Sequence, residues 1–151
     1  MNTKKWLLGS LGVFVVYQIL YYLIHSVILV GAYEATLSVW RPAEEMKNWI
    51  PFLSTAIFAL LFVFIFTKGY EGKGIMEGVR YGFWMGLLIS IPQAYTFYAV
   101  LDIPYSLAWQ WWVYQTIQIV ICGVVVAAIY KPEAAPAQKP AETPEQKPAE
   151  G

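Results

Sequence analysis

Four long apolar runs, at residues 6–30, 49–67, 79–101 and 106–130, limit what this chain can fold into more than any other feature. A helix needs roughly 20 apolar residues to cross the hydrocarbon core of a bilayer, and each run has about that length. The apolar side chains are spread around each helix rather than confined to one stripe, so folding in water would leave apolar surface uncovered. None of the runs alternates apolar with polar residues, which excludes membrane β-strands. Short connections make successive helices antiparallel neighbours. The expected fold is all-α: an integral membrane bundle of four antiparallel helices over residues 1–131, with a disordered tail over 132–151.

Composition points the same way. Hydrophobic residues form 58% of the 151 and charged residues 13%, against about 25% charged in an average soluble domain. The formal net charge is zero, which gives nucleic acid no electrostatic footing. Cys122 is the single cysteine; it permits neither an internal disulfide nor a zinc knuckle, and its apolar setting makes it a packing residue. Lys4 and Lys5 precede the first run as they would in a signal peptide, but the run is too long for one and no small-x-small cleavage site follows. It reads as an uncleaved first span. After Tyr130 the chain changes to KPEAAPAQKPAETPEQKPAEG, without aromatic or large aliphatic side chains. Such a segment buries too little apolar surface to offset chain entropy and reads as a solvated tether. Its repeated QKPAE, at 138–142 and 146–150, is low-complexity drift.

Basic residues near the membrane ends set the orientation. Lys4, Lys5, Lys68, Lys73, Arg80 and Lys131 lie on the side of both termini, six against the two of Arg41 and Lys47. Both termini are therefore expected in the cytoplasm, with the protein in the cell inner membrane and the first and third loops outside. Tyr33, Trp40, Trp49, Phe52, Tyr105, Trp109, Trp111 and Trp112 cluster at the outer boundary and read as an interfacial aromatic belt.

Gly74, Gly78, Gly82 and Gly86 recur every four residues. At helical spacing they form one smooth strip on which a second backbone can lie, from this bundle or from another copy. Gly123 and Ala127 offer a flat complement, and a groove for a lipid tail is the functional alternative. The hairpin KGYEGKGIMEGVRYG, residues 68–82, sets Glu77 and Arg80 three apart at a helix start. There they can pair, and Glu77 meets the positive end of the helix dipole. The hairpin lacks the Gly-x-x-x-x-Gly-Lys-Ser/Thr pattern and a preceding strand, so it is a membrane turn rather than a phosphate loop.

Polar side chains inside the runs supply the candidate site. Gln18, Tyr22 and His25 share one face of the first helix by steps of four and three, and Trp111, Gln115, Gln118 and Cys122 share one face of the fourth. Gln93 follows Pro92, which is expected to kink the third helix and free a carbonyl. At about 1.5 Å per residue, these glutamines fall between the midplane and the outer leaflet. Polar groups in hydrocarbon are costly and should meet one another. Gln18, Tyr22, His25, Gln93, Trp111, Gln115 and Gln118 therefore form a candidate outward polar pocket, with interhelical hydrogen bonding that merely holds the bundle as the alternative. His25, the single histidine, also reads as an interfacial hydrogen bonder, a proton relay or an axial haem ligand. In the loop 33–48, Glu34 and Arg41 are candidates for a pair above the pocket. The run EEMK after Pro42 is expected to form a short interfacial helix anchored by Trp40 and Trp49.

No Asp or Glu lies deep within a run, which counts against proton-coupled transport. His-Glu-x-x-His and Gly-x-Ser-x-Gly are missing as well, so neither a metal site nor an enzyme is expected. At WRPAEEM, residues 40–46, and KGYEGKG…EGVRYG, residues 68–82, the chain resembles small four-helix bacterial membrane proteins of uncharacterised function, over about residues 6–131. The resemblance implies a membrane bundle and supplies no activity or catalytic residue. Small multidrug exporters share only the helix count: their first helix carries an embedded glutamate, where this chain has Gln18, Tyr22 and His25. The expected function is non-enzymatic, an accessory subunit or small binding module whose pocket holds a lipid, quinone or other amphiphile. Membrane lipids, a second copy or a larger membrane complex are the expected partners. A transporter or channel component working as an oligomer is the alternative, and a membrane enzyme using His25 and Glu34 as acid and base is the third reading.

Overall fold

The computed structural model describes residues 2–130, and its regular elements there are all helical. The tail expected over 132–151 lies outside the described residues. Helix α1, Thr3–Leu23, starts where the Asn2 side chain accepts a hydrogen bond from the Lys5 amide at 3.1 Å, which satisfies one of the free donors at the helix start. It passes into a π-helical turn, Ile24–Ile28, and then a short helix α2, Val30–Glu34. Two single 3-10 turns follow, Leu37–Val39 and Ala43–Glu45. The long helices α3, Trp49–Lys68, α4, Ile75–Val100, and α5, Tyr105–Ile129, complete the chain. The interfacial helix expected over EEMK is only the second 3-10 turn. Met46 turns extended at ψ 128°, and the few residues between Trp40 and Trp49 are too short to nucleate more.

Three stretches, Thr3–Ile28, Trp49–Lys68 and Tyr105–Ile129, are long and apolar enough to cross a membrane. Helix α4 has the length, at 26 residues, but its glycines, its tyrosines, Pro92 and Gln93 dilute its hydropathy. It stays helical on both sides of Pro92. It also begins four residues before the expected start at 79, because Glu77 builds the turn ahead of it. The buried Glu77 carboxylate accepts from the Glu71 amide at 2.6 Å and the Lys73 amide at 2.8 Å. The expected Glu77–Arg80 pair does not form; Arg80 turns to Glu71, at 3.8 Å, which also pairs with Lys73.

Helix α5 is the hub. It packs along α4 and against α1, and α1 packs against α3. The α4–α5 contact runs through glycine. A Cβ on Gly78 would overlap the Gly123 carbonyl, and one on Gly82 would lie 2.7 Å from the Ile119 carbonyl oxygen and the Val120 Cα. At Gly86 it would lie 3.1 Å from the Thr116 Cα. These contacts are to backbone, which cannot swing aside. Gly74 has no part in this strip and must be corrected from the sequence reading. It precedes the helix at φ +76°, with nothing within 4 Å of its Cβ position. Its conformation is one that only glycine adopts readily, so it makes the turn rather than the contact. Farther along the same interface, Ser90 and Thr116 join their hydroxyls at 2.9 Å.

Toward the end holding Asn2 and the 69–74 turn, the centre is dry. Val13, Phe62, Val63, Ile119, Cys122 and Val126 are at most 1% exposed. There the Tyr81 hydroxyl donates to the Phe62 carbonyl at 2.6 Å, tying α4 to α3.

Candidate functional site

At the opposite end the helices part around a cavity of about 730 Å³. Its walls come from α1 and the π turn, from α4 and from α5, and the segment between α1 and α3 covers it. Of the seven residues expected to line a pocket, His25, Gln93, Trp111, Gln115 and Gln118 do so. Gln18 and Tyr22 do not, and both need correction. The face of α1 that meets the cavity is Tyr17, Tyr21, Ile24 and His25. Steps of four from residue 17 reach 21 and 25, whereas 18 and 22 fall roughly 100° farther around the helix. Tyr22 is accordingly 62% exposed. Gln18 keeps a buried side-chain nitrogen without a hydrogen bond, as does Trp112.

The hydrogen bonds at the cavity wall have a direction. The Trp111 indole N–H, which can only donate, gives to the Tyr33 hydroxyl at 2.8 Å. The same hydroxyl lies 2.5 Å from His25 Nδ1. The hydroxyl oxygen keeps a second lone pair beside the one Trp111 engages, so the histidine tautomer sets which of the two groups donates. The Trp40 indole N–H donates to the Thr36 hydroxyl at 2.9 Å, and that hydroxyl donates to the Ala32 carbonyl at 2.9 Å. Tyr33, Trp40 and Trp111 stack edge to face or tilted with centroids 5.4–6.4 Å apart, the spacing aromatic pairs prefer. Phe97 of α4 adds a fourth ring, 6.0 Å from Trp111.

Two amide contacts sit deeper. Gln115 Nε2 donates to Gln93 Oε1 at 3.1 Å, linking α5 to α4. Gln118, only 2% exposed, donates to the Tyr17 carbonyl at 2.9 Å, linking α5 to α1. The pairing of polar groups across helices thus occurs at Gln93, Gln115 and Gln118, while Gln18 stays outside it.

The aromatic belt divides. Trp49, Phe52, Tyr105 and Trp109 are exposed at 65%, 57%, 55% and 41%. Tyr33, Trp40 and Trp111 turn inward instead and build the cavity wall. Sequence alone did not separate the two groups, because both sit at the same height along the chain. The stripe Tyr17–Tyr21–His25 was legible at steps of four, but the cover formed by 33–42 depends on how the loop folds back.

Charge reaches the cavity only through Glu34 and Arg41, both exposed and both on the covering segment. They form no ion pair: the ion pairs among the described residues are those of Glu71. Burial raises the Tyr33 hydroxyl pKa above its usual range, so the phenol keeps its proton and the donor chain stays neutral. No three of His, Cys, Asp and Glu come together among the described residues. Such a site offers neutral donors and acceptors against aromatic walls. Comparison with protein-family models, with curated proteins and with solved structures finds no match.

Proposed function

We propose that this chain is a multi-pass inner-membrane protein with four spans and both termini in the cytoplasm, acting as a non-enzymatic binding module or accessory subunit. Its outward cavity holds a small amphiphile. The observation that carries this reading is the cavity itself: about 730 Å³, walled by aromatic rings and floored by three glutamines. Pockets that take small molecules are typically roughly 300–1,000 Å³ and mainly apolar, with a few placed polar groups.

The fourth span rests on the outer face of α4. Trp84 and Leu88 are each 67% exposed, and Phe83 is 44% exposed. A continuous apolar face of this kind in water would be an association site, whereas against lipid it needs no cover. With α4 in the membrane, the count of basic residues sets the 69–74 turn inside and the cavity outside. The dry core between Val13, Phe62 and Val126 closes the inner half, which favours a dead-end pocket over the conduit a transporter or channel needs. The likeness to small four-helix bacterial membrane proteins belongs to the same proposal.

Photolabelling in vesicles with a diazirine-bearing monoacylglycerol tests the reading. Adducts are expected to concentrate at 21–26, 93–97 and 111–118. Labelling spread evenly over outer-face residues such as Leu7 and Leu88 would contradict it.

A further inference from the structure

The polarity of the cavity runs against that of an ordinary lipid. A phospholipid or fatty acid entering from the outer leaflet puts its charged head at the mouth and its chain in the depth. Here the lining farther along α4 and α5 from the covering segment holds Gln93, Gln115 and Gln118, and polar groups in hydrocarbon are costly unless they find partners. Gln118 spends an N–H on Tyr17 and Gln115 spends one on Gln93. In that contact Gln93 uses only its oxygen, so the two amide protons of Gln93 remain for a ligand. His25 likewise uses Nδ1 toward Tyr33 and leaves Nε2 free on a ring that lines the same space. The Gln93 amide is a neutral donor, and Phe97 and Trp111 stand at 79° to each other on the same wall, so a planar ring meets one face-on and the other edge-on. At the mouth Glu34 and Arg41 contribute one charge of each sign.

Resting on the amphiphile reading above, we infer that the cavity takes a planar, uncharged ring bearing carbonyl oxygens, of the quinone headgroup class. A carbonyl oxygen accepts from Gln93 Nε2, the ring lies in the corner between Phe97 and Trp111, and an attached apolar tail leaves between the helices into the bilayer. A phospholipid offers no such acceptor on a flat ring, and its chain would leave the Gln93 amide protons without a partner.

The test is native mass spectrometry of the detergent-solubilised chain, incubated separately with a decyl-substituted benzoquinone and with a monoacylglycerol. Wild type is expected to retain one quinone per chain. Gln93→Glu, an exposed position where the change leaves packing alone, replaces the donating amide with a carboxylate and should cut quinone retention at least tenfold. Gln93→Leu with Gln115→Leu should do the same, and circular dichroism confirms that each variant is folded. Equal quinone retention by wild type and both variants would overturn the inference, because binding would then lie on the outer apolar surface. Retention of monoacylglycerol but not quinone would overturn the ring and leave the amphiphile reading standing. Retention of neither would overturn both.

Discussion

Glu71 and Glu77 stand six residues apart in one turn and do opposite work. Glu77 is buried and gives its carboxylate to two backbone amides, so it holds the turn's shape. Glu71 is fully exposed and pairs with Lys73, with Arg80 farther off. The hydrogen bond from Lys73, then its charge, hold the Glu71 carboxyl below its usual value of 4.5. A carboxyl depressed in the folded state stabilises it above the ordinary value, and that contribution is lost as pH falls through the lower folded value. In an exposed pair the contribution is small. A carbon-13 titration of Glu71 should give a midpoint below 4.5 in wild type and a higher one in Lys73→Ala; equal midpoints would show that the pair is not populated. Neither role was legible in the sequence, which offered Glu77 and Arg80 as neighbours on a helix. The partners of Glu77 are amides of a loop whose path only the fold defines.

Helix α4 shows how much of an element a spacing rule can carry. The four-residue period of glycines marked the face that meets α5, and Gly78, Gly82 and Gly86 lie there against backbone. It could not mark where the helix starts, so Gly74 was counted with the others although its φ of +76° places it in the turn. The two kinds of glycine respond differently to alanine. Gly82→Ala sets a Cβ 2.7 Å from the Ile119 carbonyl oxygen, an overpacking that costs roughly 1–3 kcal/mol. Gly74→Ala strains the backbone by a similar roughly 1–3 kcal/mol but leaves the interface alone. A Ser90→Cys/Thr116→Cys pair separates them, since those hydroxyls touch at 2.9 Å. Disulfide formation should slow in the Gly82→Ala background and be unchanged with Gly74→Ala. Equal rates in both would mean that the glycine strip does not set the α4–α5 distance.

At the scale of the molecule, an open half around the cavity stands against a closed half at the end holding Asn2 and the 69–74 turn. The four long helices and the polar character of the half around the cavity were readable from run lengths and from the glutamines. The cavity's cover was not, because residues 33–48 carry no periodicity and their aromatic residues could face lipid or protein alike. Orientation is checked by labelling with a membrane-impermeant maleimide in intact cells. Cys122 is buried and gives no background. Glu44→Cys should label from outside, and Lys73→Cys only after the membrane is opened; the reverse pattern would invert the protein and turn its cavity to the cytoplasm.

The central claim is that this cavity is occupied. Native mass spectrometry of the gently extracted protein tests it most directly, comparing wild type with Ser26→Trp, which adds bulk at an exposed residue of the cavity lining. The account predicts one amphiphile per chain in wild type and a bare chain in Ser26→Trp. A wild-type chain that arrives bare, or a Ser26→Trp chain that keeps the same adduct, would contradict it.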